Sequence, residues 1–128
     1  FATLGLALPL TTSIHAVTVS ILSYYYGLNG LLAKLEIPGC ASGINSLIHL
    51  RLGVDHECDR EICLMTDQNM KVTTNSARNS QLNLALLNRG VHSGTRFILS
   101  STHTEEDIDA SVEAFELAFT DLKTQGSI

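Results

Sequence analysis

Basic charge is scarce in this sequence of 128 residues. Eight Lys and Arg stand against thirteen Asp and Glu, a formal net charge of −5. Phosphate backbones and anionic membrane surfaces are recognised by clustered cations. No such cluster is present, so nucleic acid is not an expected partner. Cysteine is sparse as well. Cys40, Cys58 and Cys63 are an odd number without the spacing of a disulfide framework. Reduced thiols and a cytoplasmic location are expected. No basic segment precedes an apolar run, so no secretory leader is legible. The sequence opens on Phe1 rather than methionine, and a piece of a longer chain is expected.

Charge of either sign is missing before Lys34, which raises the question of a membrane span. Thr11, Thr12, Ser13, His15, Thr18, Ser20, Ser23 and Asn29, with Gly27 and Gly30, weigh against one. A buried helix accounts for the stretch better. Ile14, Val17, Ile21, Tyr24, Leu28, Leu31 and Leu35 recur at steps of three and four. Val19, Leu22 and Tyr25 make the remaining faces apolar too. Such a helix is sandwiched between other elements. Its surface is expected to face a partner domain or a second subunit, and the chain to form a homodimer.

Beyond this helix the patterns alternate in kind. Pro38-Gly39 reads as a turn and a helix stop. Ile48-His49-Leu50-Arg51-Leu52 alternates apolar and polar, the mark of a half-buried strand. Residues 53–75 are polar and uneven, an excursion with a short strand expected at 62–65. Residues 76–89 predict a helix with Leu82, Ala85, Leu86 and Arg89 on one side and Gly90 as its C′ residue. Val91-His92 and 96–99 are expected as short strands around a Ser93-Gly94-Thr95 turn. Thr104 then caps the last helix, with Asp107 in the capping-box position and Glu105, Glu106 and Asp107 on the positive end of the helix dipole. Ile108, Val112, Phe115, Phe119 and Leu122 form its apolar stripe, and Lys123 and Gly126 end it. The predicted fold class is α+β: an apolar N-terminal helix, then a small sheet covered by two helices. Residues 1–36 form an interface segment, and 37–128 a small domain.

His56-Glu57-Cys58, with Cys63 and the nearby His49, raises a metal site. The spacing fits no closed zinc pattern, and no metal is expected. His49 reads as a rim residue of its strand, and Cys58 and Cys63 as ordinary thiols.

The wording around the last helix is more specific. Arg89-Gly90-Val91, then Arg96-Phe97-Ile98-Leu99-Ser100-Ser101, then Thr102-His103-Thr104-Glu105-Glu106-Asp107-Ile108-Asp109 resembles the C-terminus of class III PLP-dependent aminotransferases. The nearest likeness is to the glutamate-1-semialdehyde aminomutase branch. Upstream, Ala2-Thr3-Leu4-Gly5 and Pro9-Leu10-Thr11-Thr12 are similar to the family's Gly-Thr-Phe stretch and its Asn-Pro step. Ala2 stands where the family has Gly, Leu8 where it has Asn, and the spacing is one residue long. The family's second long helix has no room before Ile37-Pro38-Gly39. The segment after Arg89-Gly90-Val91 is shorter than in the family.

The resemblance implies the C-terminal small domain of a fold type I PLP enzyme, acting as a homodimer on a small-molecule amino donor or acceptor. It implies that Thr3 binds the phosphate of pyridoxal 5'-phosphate, commonly across the dimer interface; an ordinary loop threonine is the alternative. It implies that Arg96 handles a substrate carboxylate, since a guanidinium grips a carboxylate through parallel hydrogen bonds. A solvated strand-edge arginine is the alternative there. His103 reads as a residue that packs the start of the last helix. PLP chemistry also needs a lysine that holds the cofactor covalently. Lys34, Lys71 and Lys123 do not stand in a context like the family's, whose lysine precedes the Gly-Thr stretch. No catalytic residue is therefore expected in this chain, which is expected to be inactive alone. A non-catalytic α+β interaction or regulatory domain is the competing expectation.

Overall fold

The computed structural model describes residues 22, 24–56, 63–92 and 95–128. Helix α1 runs through 24–34. It is followed by strands β1 (Gly39–Ile44) and β2 (Leu47–Leu52), helices α2 (Asp67–Val72) and α3 (Ser76–Leu87), strand β3 (Arg96–Ile98) and helix α4 (Glu105–Thr124). The strands make one antiparallel sheet in the order β1-β2-β3. Registers run from Gly39 opposite Leu52 to Ile44 opposite Leu47, and Ile48 lies opposite Phe97. The chain is thus α+β.

Side-chain alternation gives the sheet two different faces. Ile48, Leu50 and Leu52 of β2, Ala41 of β1 and Phe97 of β3 point into the core. α1 adds Tyr24, Leu28, Leu31 and Leu32, α3 adds Leu82 and Leu86, and α4 adds Ile108, Phe115, Phe119 and Leu122. Tyr24, Phe97 and Phe115 meet edge to face, with centroids 5.9, 6.2 and 5.1 Å apart, the geometry that the ring quadrupoles favour. Of the expected stripes, Leu82 and Leu86 of α3 and Ile108, Phe115, Phe119 and Leu122 of α4 are buried, while Ala85, Arg89 and Val112 are half-buried and Ala114 and Ala118 join the buried side of α4. The seam of α1 is borne out at Tyr24, Leu28 and Leu31; Ile14, Val17, Ile21 and Val19 lie outside the described residues. Not every face of α1 is covered, for Leu22 is 44% and Tyr26 68% exposed.

The opposite face carries Cys40, Ser42, His49 and Arg51, which are cross-strand partners in pairs. The Arg51 guanidinium donates to Ser42 Oγ at 2.6 Å and contacts Met70 Sδ at 3.1 Å. Met70 belongs to α2, so the excursion returns to cover part of this face. Cys40 and Ser42 are buried.

The helix ends from α2 on are built locally, as is the C-terminal end of α1. Thr104 accepts from the Asp107 amide while Asp107 Oδ2 accepts from the Thr104 amide at 2.8 Å, a complete capping box. Thr66 caps α2 and Asn75 caps α3 through their side-chain oxygens. At the other ends α1, α3 and α4 close with the same paired bonds: Ile37 to Leu32 and Glu36 to Ala33, Val91 to Leu86 and Gly90 to Leu87, Ser127 to Leu122 and Gly126 to Lys123. This is the Schellman pattern, which needs a left-handed C′ residue. Gly90 and Gly126 supply it, as expected, with φ +80° and +72°. Glu36 takes the same conformation at φ +53° without being glycine.

Four expectations are corrected. Gly39 opens a strand rather than ending a turn. Residues 63–65 are not a strand, because Thr66 already caps a helix; Ile62 lies outside the described residues. The excursion contains α2, which has no buried residue and so no legible stripe. Val91-His92 is not a strand either: the Val91 amide is spent on closing α3, and only β3 remains.

Candidate functional site

A cleft of about 510 Å³ lies between β3, the turn after α3 and the first turns of α4. That volume suits a small molecule. Tyr24, Phe97 and Ile108 give it an apolar floor, and Arg96, His92 and His103 a polar rim. β3 places Arg96 there because Phe97 must turn inward to Ile48. Its neighbours in the strand then face away from the core, and Arg96 is exposed.

The rim groups differ in how far they are committed. Arg89 also lines the cleft, but its guanidinium pairs with Asp121 and donates to the Ala85 carbonyl at 2.9 Å. Asp107 is spent on the cap. The Thr104 amide, then the Thr104 hydroxyl, hold its carboxyl below the usual carboxylate range, and His103 adds a smaller push the same way. His103 Nδ1 accepts from the Ser100 amide at 3.0 Å, which pins the turn before α4; in the neutral ring this puts the proton on Nε2. Arg96, by contrast, makes no hydrogen bond or ion pair with another described residue. Its positive charge reaches His49, its cross-strand partner. Burial first, then Arg51 and Arg96, lower the His49 pKa, so this imidazole stays neutral beside the two cations. On the floor, burial pushes the Tyr24 phenol up to about 12 while a hydrogen bond to Ser111 acts against it. Tyr24 is therefore a neutral hydroxyl at physiological pH.

Chemically the cleft could accommodate an anion. Arg96 offers a fork of donors, and the floor offers apolar contact. No lysine lines it. Lys34 pairs with Glu116, Lys123 donates to the Leu35 carbonyl, and Lys71 stands in the last turn of α2. Thr3 lies outside the described residues.

A second constellation sits on the other side of the sheet. Cys40 Sγ and Cys63 Sγ are 4.0 Å apart. With a ring nitrogen of His56, their sulfurs form a group whose ligand atoms all lie within 4.8 Å of one another. His49 is not part of it, and Glu57 and Cys58 lie outside the described residues. Sequence spacing could not reveal this group, because Cys40 joins it through the sheet from a strand of small residues that shows no alternation. Among the described residues no helix is long and apolar enough to cross a membrane.

A scan against protein-family models finds no match, and a search of curated proteins finds none. Solved structures do match. One is an omega-transaminase from Sphaerobacter thermophilus, with a TM-score of 0.65 at 19% identity over 88% of this chain. Another is a beta-phenylalanine aminotransferase from Variovorax paradoxus, with a TM-score of 0.61 at 21% identity over 89%. This chain spans about a quarter of the length of each, 25% and 24%. Its fold is that of a segment of the aminotransferase chain.

Proposed function

We propose that this chain is the C-terminal small-domain portion of a PLP-dependent enzyme that moves amino groups. Either an aminotransferase or a glutamate-1-semialdehyde aminomutase type is compatible with the residues. The observation that carries the proposal is the aminotransferase-like fold over most of the chain, with the exposed Arg96 at the mouth of a small-molecule cleft. When bound, PLP would carry the amino group and serve as the electron sink for the substrate carbon.

The described residues do not fit the task of holding PLP covalently, since no lysine lines the cleft. Their part is to receive the substrate. Arg96 grips its carboxylate, and the floor of Tyr24, Phe97 and Ile108 excludes water from the apolar part. Thr3 is the proposed ligand of the cofactor phosphate, across a homodimer interface to which the first third of the chain contributes. The enzyme is proposed to be cytoplasmic, and the chain inactive on its own.

A charge-assisted hydrogen bond to a phosphate is worth about 1.5–3 kcal/mol. Thr3→Val in the complete enzyme is therefore expected to weaken PLP affinity by about one to two orders of magnitude, with the dimer intact by sedimentation. PLP titration followed by cofactor absorbance measures it. Equal affinity in variant and parent would remove Thr3 from the site. An enzyme that takes up no PLP at all would remove the proposed function.

A further inference from the structure

We propose that Cys40, His56 and Cys63 form a binding site for one thiophilic divalent cation, with Zn²⁺ as the cation that their chemistry fits best. Two thiolates and an imidazole are a borderline-soft donor set, which selects zinc over magnesium or calcium. The site shares no residue with the cleft that bears Arg96.

The geometry distinguishes a metal from a disulfide. Around a tetrahedral zinc with Zn–S of about 2.3 Å and Zn–N of about 2.0 Å, neighbouring ligand atoms lie roughly 3.5–3.8 Å apart. The two sulfurs are 4.0 Å apart, and every ligand atom is within 4.8 Å of the others. One ion at the centre draws all of them in by about 1 Å or less. A disulfide between the same sulfurs would need an approach of about 2 Å, to an S–S length of about 2.05 Å.

Each ligand arrives by a different route, and each route is held. Cys40 is fully buried on β1, paired across to Arg51. His56 follows the turn at Gly53, where φ is +94° and the Arg78 guanidinium packs against the Cα. Arg78 also donates to the Leu52 carbonyl at 2.7 Å, and the Gly53 amide to Pro38 O at 2.7 Å. Cys63 comes in just before Met65 and the Thr66 cap of α2. The ion would tie both ends of the segment between His56 and Cys63 to the sheet.

Charge balances in place. Two thiols each release a proton to solvent as their sulfurs bind, the imidazole donates its lone pair, and the two thiolates offset the charge of the cation. A neutral unit then sits beside the buried strand, which avoids the large cost of an isolated buried charge. Three protein ligands leave a fourth position for water or a further donor.

The test is a Zn²⁺ titration of the reduced, metal-stripped full-length protein against a chromophoric chelator. One equivalent bound with sub-micromolar affinity is expected, with proton release on binding. Cys63→Ser and His56→Gln, both at partly exposed positions, are each expected to weaken binding by more than the roughly 10–100-fold lost when an outer partner is removed. Their far-ultraviolet circular dichroism in the absence of metal should match the parent. Co²⁺ in place of Zn²⁺ should show thiolate-to-metal charge transfer and tetrahedral d–d bands, both diminished in Cys63→Ser. Zinc bound as firmly by Cys63→Ser as by the parent would overturn the site. So would the absence of competitive binding in the reduced protein, including the case in which mild oxidation instead joins Cys40 to Cys63.

Discussion

Single side chains complete backbone hydrogen bonding in this fold, and the clearest case is Asn29. Its Nδ2 donates to the Ala41 carbonyl at 2.9 Å, and its Oδ1 accepts from the Ala41 amide at 2.9 Å. Ala41 is fully buried on the outer strand of the sheet. Among the described residues no strand flanks β1 on this side, and an amide side chain takes that place, where it keeps another strand from pairing. Asn29→Ala would leave buried backbone groups unpaired, at about 1–3 kcal/mol for each. Loss of about 2 kcal/mol in urea unfolding is expected, and an unchanged midpoint would show that the strand edge finds other partners. Asn29 looked like one more polar residue weighing against a membrane span; its partner is twelve positions away, beyond any local pattern. The cap of α4 was legible because its partners are three positions apart. Thr104→Ala is expected to cost about 1 kcal/mol. The Asp107 carboxyl is held below its ordinary value of 3.8. Its contribution is therefore complete above that value and lost as pH falls through the lower, folded pKa. Acid unfolding followed by circular dichroism should show this slope in the parent and not in Asp107→Asn. A slope that survives in the variant would assign it to other carboxylates.

Elements were legible where one face is apolar at a regular period and local signals agree. α4 has the stripe, the cap and the terminal glycine together, and its bounds follow. α3 has Leu82 and Leu86, and β2 has strict alternation. β1 was not legible, because Gly39, Cys40, Ala41, Ser42 and Gly43 are small residues with no alternation. Its strand state comes from pairing with β2. α2 was not legible either, since none of its residues is buried. It depends on the Thr66 cap and on Met70 reaching Arg51. The turn that joins β2 to this excursion depends on Gly53. A Cβ there would stand 2.2 Å from Arg78 Nη1 and at φ +94°. Gly53→Ala is expected to destabilise the protein by about 1–3 kcal/mol through strain in the left-handed backbone, read as a lower thermal midpoint. Arg78→Ala in the same background should not restore it, because the backbone angle remains. Full rescue would mean that crowding alone carries the cost.

At the scale of the whole molecule, three helices, a small sheet and a covering excursion leave a small-molecule cleft with Arg96, unpaired among the described residues, at its mouth. The fold class was readable from the sequence. The cleft itself was not, because its walls come from α1, the turn after α3, β3 and α4 and exist only when these pack. The proposed function turns on one step: that this cleft would receive the carboxylate of an amino donor or acceptor at Arg96. The most direct measurement is kcat/KM of the complete enzyme for a carboxylate-bearing amino donor and for the matching amine without the carboxylate, in parent and Arg96→Gln. Loss of charge-assisted hydrogen bonds worth about 1.5–3 kcal/mol should lower the first value by about 10–150-fold and leave the second nearly unchanged. Equal effects on both substrates, or none on either, would contradict the account.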